Sequence, residues 1–168
     1  MEMEEPRQGE KALVLYASMF GNTEKIAKAL AKGIEFHCQV DCVNINDADP
    51  AGFSQYGLIA VGAPTQAFSA YKPMKDFLEK LSVMTGLGGK LGFAFDTRID
   101  SRLSGSAAKY IEKRLDELGL KMVKPRASAI VSGGTKDNVL RQGEDARFEG
   151  IGEEIGAVLA RLPVAKSA

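Results

Sequence analysis

Residues 15–30 read LYASMFGNTEKIAKAL. Apolar strand formers run to Ala17, stop at Ser18, pass a single glycine at Gly21 and give way to a helical pattern. Ile26, Leu30 and Ile34, flanked by Ala27 and Ala31, share one face of that helix. The turn from Ser18 to Thr23 holds no lysine or arginine. A helix N-terminus offers unpaired backbone N–H groups and a partial positive charge. Ser18, Asn22 and Thr23 add side-chain donors there, and Gly21 permits close backbone approach. A phosphate suits this chemistry without a cationic side chain. Asn22 serving only as a helix cap is the simpler alternative, but it leaves the neighbouring serine, glycine and threonine unexplained.

Outward from that turn, short apolar runs alternate with helical patterns. KALVLYAS (residues 11–18) is a buried strand, followed by a helix from Asn22 to about Glu35. CQVDCVNI alternates as a second strand, and the segment from Asn46 to Tyr56 carries a single helical turn. YGLIAVGAP is apolar without alternation, as expected for a central strand covered on both faces. Pro73 opens a helix with Met74, Phe77, Leu78 and Leu81 on its apolar face. KLGFAF is a fourth strand, and a helix through Ala108, Ile111, Leu115 and Leu118 closes at Gly119. ASAIVSG is a fifth strand, and a last helix carries Phe148, Ile151, Ile155, Leu159 and Leu162. Five strands alternating with helices make an α/β fold with a parallel sheet wound on both faces. Ligands bind such sheets beyond the C-terminal strand ends, which selects Ser18–Thr23, Ala63–Tyr71 and Asp96–Ser104.

Bulk properties narrow the function. At 168 residues the chain suits one domain with a full core. The formal net charge is zero, which argues against nucleic acid or an anionic membrane as partner. The longest apolar run falls far short of the roughly 20 residues of a spanning helix. MEMEEPRQGE (residues 1–10) is acidic and polar and reads as a frayed tail on a cytoplasmic protein; residues 11–163 form the domain and 164–168 a C-terminal tail. Cys38 and Cys42, the only cysteines, stand about 13 Å apart in an extended segment. That is too far for a disulfide, so they read as two small buried side chains. His37, the only histidine, lacks ligand-spaced partners and reads as a surface or strand-edge residue, leaving no metal site.

The turn lacks both G-x-G-x-x-G and the nucleoside triphosphate pattern G-x-x-x-x-G-K-[ST]. Instead, SMFGNTE resembles the phosphate loop of the flavodoxin family, of the form S/T-x-x-G-N-T directly after the first strand. GAPTQAFSAYKPMKDFL is similar to that family's second flavin loop and following helix, especially in modules related to those of flavodiiron proteins. The resemblance spans about Lys11 to Leu162 and is to the short-chain form. It implies a three-layer α/β/α sandwich with strand order 2-1-3-4-5 and one non-covalent FMN. Carried onto this chain, Ser18, Met19, Phe20, Gly21, Asn22 and Thr23 would cradle the 5′-phosphate. Pro64, Thr65, Gln66, Ala67 and Phe68 would line one side of the isoalloxazine, with Tyr71 a second aromatic candidate. Asp96, Thr97, Arg98 and Ile99 would approach its other side and pyrimidine edge, Arg98 offsetting negative charge on the reduced ring.

The chain departs from the family pattern in three places. Phe20 stands where many members carry a hydroxyl. DTRIDSRLSG lacks the aromatic that often stacks on the flavin, leaving Ile99 or Leu103 to offer an apolar face at a loss of about 1 kcal/mol. The family is often acidic around the flavin, whereas this chain is neutral overall. The resemblance implies an electron carrier working between a donor reductase and an acceptor protein, with the cofactor performing the chemistry. An FMN-dependent NAD(P)H or quinone reductase and a cofactor-free binding module on the same fold are the alternatives. Oligomeric state is open at this level.

Overall fold

The computed structural model describes residues 11–84, 86–101, 103–133 and 138–163. Strand β1 (Lys11–Tyr16) lies between β2 (Val40–Asn44) and β3 (Tyr56–Gln66), parallel to both; Val14 stands opposite Cys42 on one side and Ala60 on the other. Beyond β3 come β5 (Leu91–Ile99) and β7 (Ala127–Ser132), again parallel. The five long strands therefore follow the expected order, second-first-third-fourth-fifth. Three two-residue strands were absent from the sequence reading. They are β4 (Ser69–Ala70), antiparallel to the end of β3; β6 (Lys121–Met122), beside β5; and β8 (Val139–Leu140), antiparallel to β7. β4 and β8 form where the loop leaving a long strand folds back on it, whereas β6 pairs with β5 as the chain returns from α3.

Helices α1 (Asn22–Ile34) and α4 (Glu144–Arg161) cover one face of the sheet; α2 (Lys72–Leu81) and α3 (Ala107–Glu117) cover the other. The pleat of β1 feeds both cores, with Leu13 and Leu15 toward α2 and α3 and with Ala12, Val14 and Tyr16 toward α1 and α4. That double burial is why the strand reads as continuously apolar. On the α1 side, Phe93, Phe95 and Phe148 are fully buried, and the Phe95 ring occupies the space that a Cβ on Gly62 would fill. Helix α1 crosses α4 at glycines: a Cβ on Gly152 would lie 2.1 Å from the Leu30 carbonyl oxygen.

Several boundaries differ from the sequence reading. β1 ends at Tyr16 and α1 at Ile34. β3 runs on to Gln66 and β5 to Ile99, because both strands extend into the loops they support. The segment after β2 holds two 3-10 helices (Ile45–Asp47 and Pro50–Gln55) rather than one turn, started by the Asn44 and Asp49 side chains, and it buries Phe53. Gly119 sits just past α3 at φ 91°, where its N–H and that of Leu120 close the last turn. Leu162 lies beyond α4 and is exposed, so it is not part of that helix's buried face. Cys38 precedes β2, and both cysteines are half-buried and unbridged rather than fully buried. His37 is exposed in the turn after α1. The expected tails, 1–10 and 164–168, fall outside the described residues, apart from which no helix is long and apolar enough to cross a membrane.

Candidate functional site

At the C-terminal end of β1 the chain turns through Gly21, the N-cap of α1, at φ 89°. A side chain at that φ would be strained, so glycine is needed for conformation, and nothing stands within 4 Å of where its Cβ would be. The Gly21 N–H donates to Ser18 Oγ at 3.0 Å, which leaves the serine's own proton available. Gly21 offers α1 no side-chain cap, so the helix begins with free N–H groups. Asn22 Nδ2 donates to the Asn138 carbonyl at 2.8 Å, and the Thr23 hydroxyl contacts that of Thr97 at 2.8 Å.

One acidic side chain, Glu24, stands in this first turn. It accepts from Tyr16 Oη at 3.1 Å and pairs with Lys28 at 3.2 Å. Lys28 and Tyr16 hold its carboxyl below the usual carboxylate range. Burial, reinforced by Glu24, pushes the Tyr16 phenol up to about 12. The Glu24 charge is thus met by partners on the side of the helix.

The second loop continues β3 into a hairpin with β4, Gln66 opposite Ser69. Ala67 and Phe68 form its two-residue turn at φ 49° and 69°. Non-glycine residues in this left-handed region cost about 1–2 kcal/mol each. Such strain persists where surrounding structure over-determines it, commonly at ligand sites. Phe68 is 72% exposed, an unusual position for a large aromatic.

The third loop leaves β5. Asp96 is fully buried beneath it, and its Oδ2 accepts from Thr65 Oγ1 (3.2 Å), Ser106 Oγ (2.8 Å) and the Ala108 N–H (2.9 Å). Ser106 in turn caps α3. Arg98 has a buried Nε with no hydrogen-bond partner among the described residues, and its Nη1 reaches Ser104 Oγ at 3.4 Å.

Between the three loops lies a cavity of about 690 Å³, a size typical of small-molecule sites. Of the residues the sequence singled out, Met19, Phe20, Asn22 and Thr23 line it from the first loop. Pro64 through Phe68 line it from the second, and Thr97, Arg98 and Ile99 from the third. Four do not line it. Ser18 and Gly21 shape the turn, through the Gly21 N–H donated to Ser18 Oγ. Tyr71 is the N-cap of α2 and packs into the core on the α2 and α3 side. Strand alternation directs Asp96 to the α3 side, where its Oδ2 accepts from one helix N–H and two hydroxyls, while its buried Oδ1 has no hydrogen-bond partner among the described residues. Neither Tyr71 nor Asp96 is among the residues that line the cavity.

Ser101 and Ser104, within the selected segment Asp96–Ser104, also line the cavity, as do Val131, Gly133 and Asn138, which sequence reasoning missed. Val131 lies at the end of the fifth long strand and Gly133 just beyond it, so the strand-end rule that selected the other loops would have included them. Leu103 is 80% exposed at the rim and, with Ile99, supplies the apolar face of the third loop.

The donor set fits FMN. A cation-free turn with free N–H groups suits the phosphate, and apolar walls from Phe20, Phe68, Ile99 and Leu103 suit a flat ring. The unpartnered Nε of Arg98, the only charged side chain among the described lining residues, suits a ring carbonyl or nitrogen.

The sequence model of a family described as Flavodoxin matches residues 14–150. A protein of Clostridium saccharobutylicum described as "Flavodoxin" is 26% identical over 154 residues, covering 86% of this chain and 94% of that protein. "Probable flavodoxin 1" of Bacillus subtilis is 43% identical over 56 residues, covering 33% of this chain and 35% of that protein. Among solved structures, "Structure of a flavodoxin from the domain Archaea" superposes with a TM-score of 0.75 at 26% identity, covering 89% of this chain and 98% of that one. The rubredoxin oxygen:oxidoreductase of Desulfovibrio gigas superposes with a TM-score of 0.72 at 21% identity, covering 91% of this chain and 37% of that one. The last likeness concerns fold alone.

Proposed function

The chain belongs to the flavodoxin family of FMN-binding electron-transfer proteins, and on that premise we propose that its three-loop cavity holds FMN and that it carries electrons between two redox proteins. One observation carries this reading. The turn at Ser18–Thr23 presents backbone and hydroxyl donors around a left-handed Gly21, and it opens directly onto the cavity.

In the proposed complex, the first-turn N–H groups of α1 and the Ser18 and Thr23 hydroxyls hold the phosphate, with the positive end of the helix adding attraction. Phe20, Phe68, Ile99 and Leu103 exclude water from the ring. Arg98 places a cation beside it, favouring a negatively charged reduced form. Bound FMN supplies the redox chemistry, accepting and releasing electrons, and none of these side chains need act as acid or base.

The proposed partners are a reductase and an acceptor protein that meet the exposed rim of the cavity. With only Arg98 charged among the described lining residues, their docking is expected to depend weakly on ionic strength. Incubation with FMN followed by gel filtration tests the reading. A retained yellow spectrum and a saturable calorimetric signal are expected, and a colourless protein with no heat of binding would overturn it.

A further inference from the structure

Ala67 and Phe68 are, among the described residues, the only non-glycine residues at positive φ. Two-residue hairpin turns with positive φ at both positions favour pairs such as Asn-Gly. Ala-Phe is not such a pair, so a contact outside the hairpin must help to hold it. Gly105 makes that contact: Phe68 and Gly105 form an isolated parallel bridge. A Cβ on Gly105 would lie 2.1 Å from the Phe68 carbonyl oxygen and 2.6 Å from its Cα. Only a residue without a side chain lets the two backbones meet.

The approach is braced from below. Asp96 Oδ2 binds Thr65 of β3 together with Ser106 and Ala108 of the α3 start, and the Ala107 N–H donates to Thr65 Oγ1 at 3.0 Å. The end of β3 and the N-terminus of α3 are thereby tied together, and Gly105, one residue before the cap, is pressed against the strained turn. Gly105 itself is not among the residues that line the cavity.

We propose that Gly105 is a positioning residue for the cofactor: its backbone contact with Phe68 holds the Ala67–Phe68 turn left-handed and so sets how strongly the second loop distinguishes oxidised from reduced flavin. The proposal rests on the FMN reading above. Oxidation state changes which ring nitrogens accept a hydrogen bond and which carry a proton. A turn held in one orientation presents fixed donors and acceptors and discriminates between the two forms. A released turn can reorient to suit either.

Two variants of the full chain separate this role from simple folding. Gly105→Ala adds a Cβ at a φ of 72°, introducing both backbone strain and the collision. Gly105→Asn adds the same Cβ, but asparagine tolerates the left-handed region. Calorimetry measures the affinity of each for oxidised FMN, for dithionite-reduced FMN under anaerobic conditions and for riboflavin, alongside the melting temperature of the free protein. Both variants are expected to change the oxidised-to-reduced affinity ratio by about fivefold or more, which by linkage is an equal change in reduction equilibrium. The FMN-to-riboflavin ratio is expected to stay constant, because the phosphate end is untouched. Asparagine should restore the part of the melting temperature lost to backbone strain and none of the ratio. Equal losses for both oxidation states, a ratio restored by asparagine, or loss of cooperative unfolding in the asparagine variant would each overturn the proposal. A wild-type chain that binds FMN in neither state would instead overturn the functional reading.

Discussion

The hydroxyls of Thr23 and Thr97 meet at 2.8 Å in a buried contact between residues 74 positions apart. The contact ties the first turn of α1 to the strand end that carries the third loop. Either hydroxyl can donate; when Thr97 does, the Thr23 proton is free for an anion at the helix N-terminus.

Thr23→Val is therefore expected to weaken FMN binding about tenfold, the scale of one hydrogen bond to a charged group, with riboflavin binding changed less. Thr97→Val should act in the same direction but more weakly, and the double variant should fall short of the sum. Calorimetric titration of all four proteins with both ligands checks this. Equal losses of FMN and riboflavin would place the phosphate elsewhere.

Arg98 is expected to favour the reduced flavin. Its buried Nε has no partner among the described residues, and methionine at this position removes the charge while keeping much of the apolar stem. Arg98→Met should lower the reduction potential and weaken the reduced form about tenfold relative to the oxidised one. Potentiometric titration of the FMN complex reads this directly, and an unchanged potential would remove Arg98 from the ring's surroundings.

Packing of α1 on α4 gives a stability test. Gly152→Ala places a Cβ 2.1 Å from the Leu30 carbonyl oxygen, a backbone collision that neither helix can relieve locally. We expect a loss of about 2 kcal/mol, overpacking outweighing the gain in helix propensity. Gly150→Ala, in the same helix with nothing within 4 Å of the new atom, should instead gain up to about 1 kcal/mol. Urea midpoints of the two variants should move in opposite directions.

Acid should loosen the junction of β7 and α4. Glu144 is buried, accepts from the Ile130 N–H at 2.7 Å and pairs with Arg147 at 2.9 Å. The Arg147 hydrogen bond, helped by the Ile130 N–H, outweighs burial and holds this carboxyl below the usual range. Its stabilisation is therefore complete above the unfolded-state value near pH 4.3 and is lost as pH falls through the lower folded value. Glu144→Gln should cost about 2 kcal/mol at pH 6, and the gap to wild type should close progressively as pH falls below the unfolded-state value. A gap independent of pH would show that the charge contributes nothing.

Much of the site was legible because its first loop is local. Strand, serine, glycine and helix start follow one another within a few residues, so backbone donors and side-chain donors converge without help from distant segments. Pro64 to Phe68 and Thr97 to Ile99 were found for a related reason: a doubly wound sheet delivers every strand end to the same rim. Tyr71 and Asp96 stand outside the cavity lining, because neighbourhood in sequence does not say which way a side chain points. Alternation along β5 turns Asp96 toward α3, and the cap position of Tyr71 turns it into the core.

Periodicity and turn chemistry by themselves settled the five-stranded parallel sheet, its four helices and the glycine turn between β1 and α1, since each depends on contacts a few residues apart. Tertiary structure alone decided the left-handed turn at Ala67 and Phe68, its backing by Gly105, the Thr23–Thr97 contact and the glycine crossing of α1 with α4. Those features arise from pairs of backbone segments brought together across dozens of residues, and one strand's residue pattern carries no record of what will press against it.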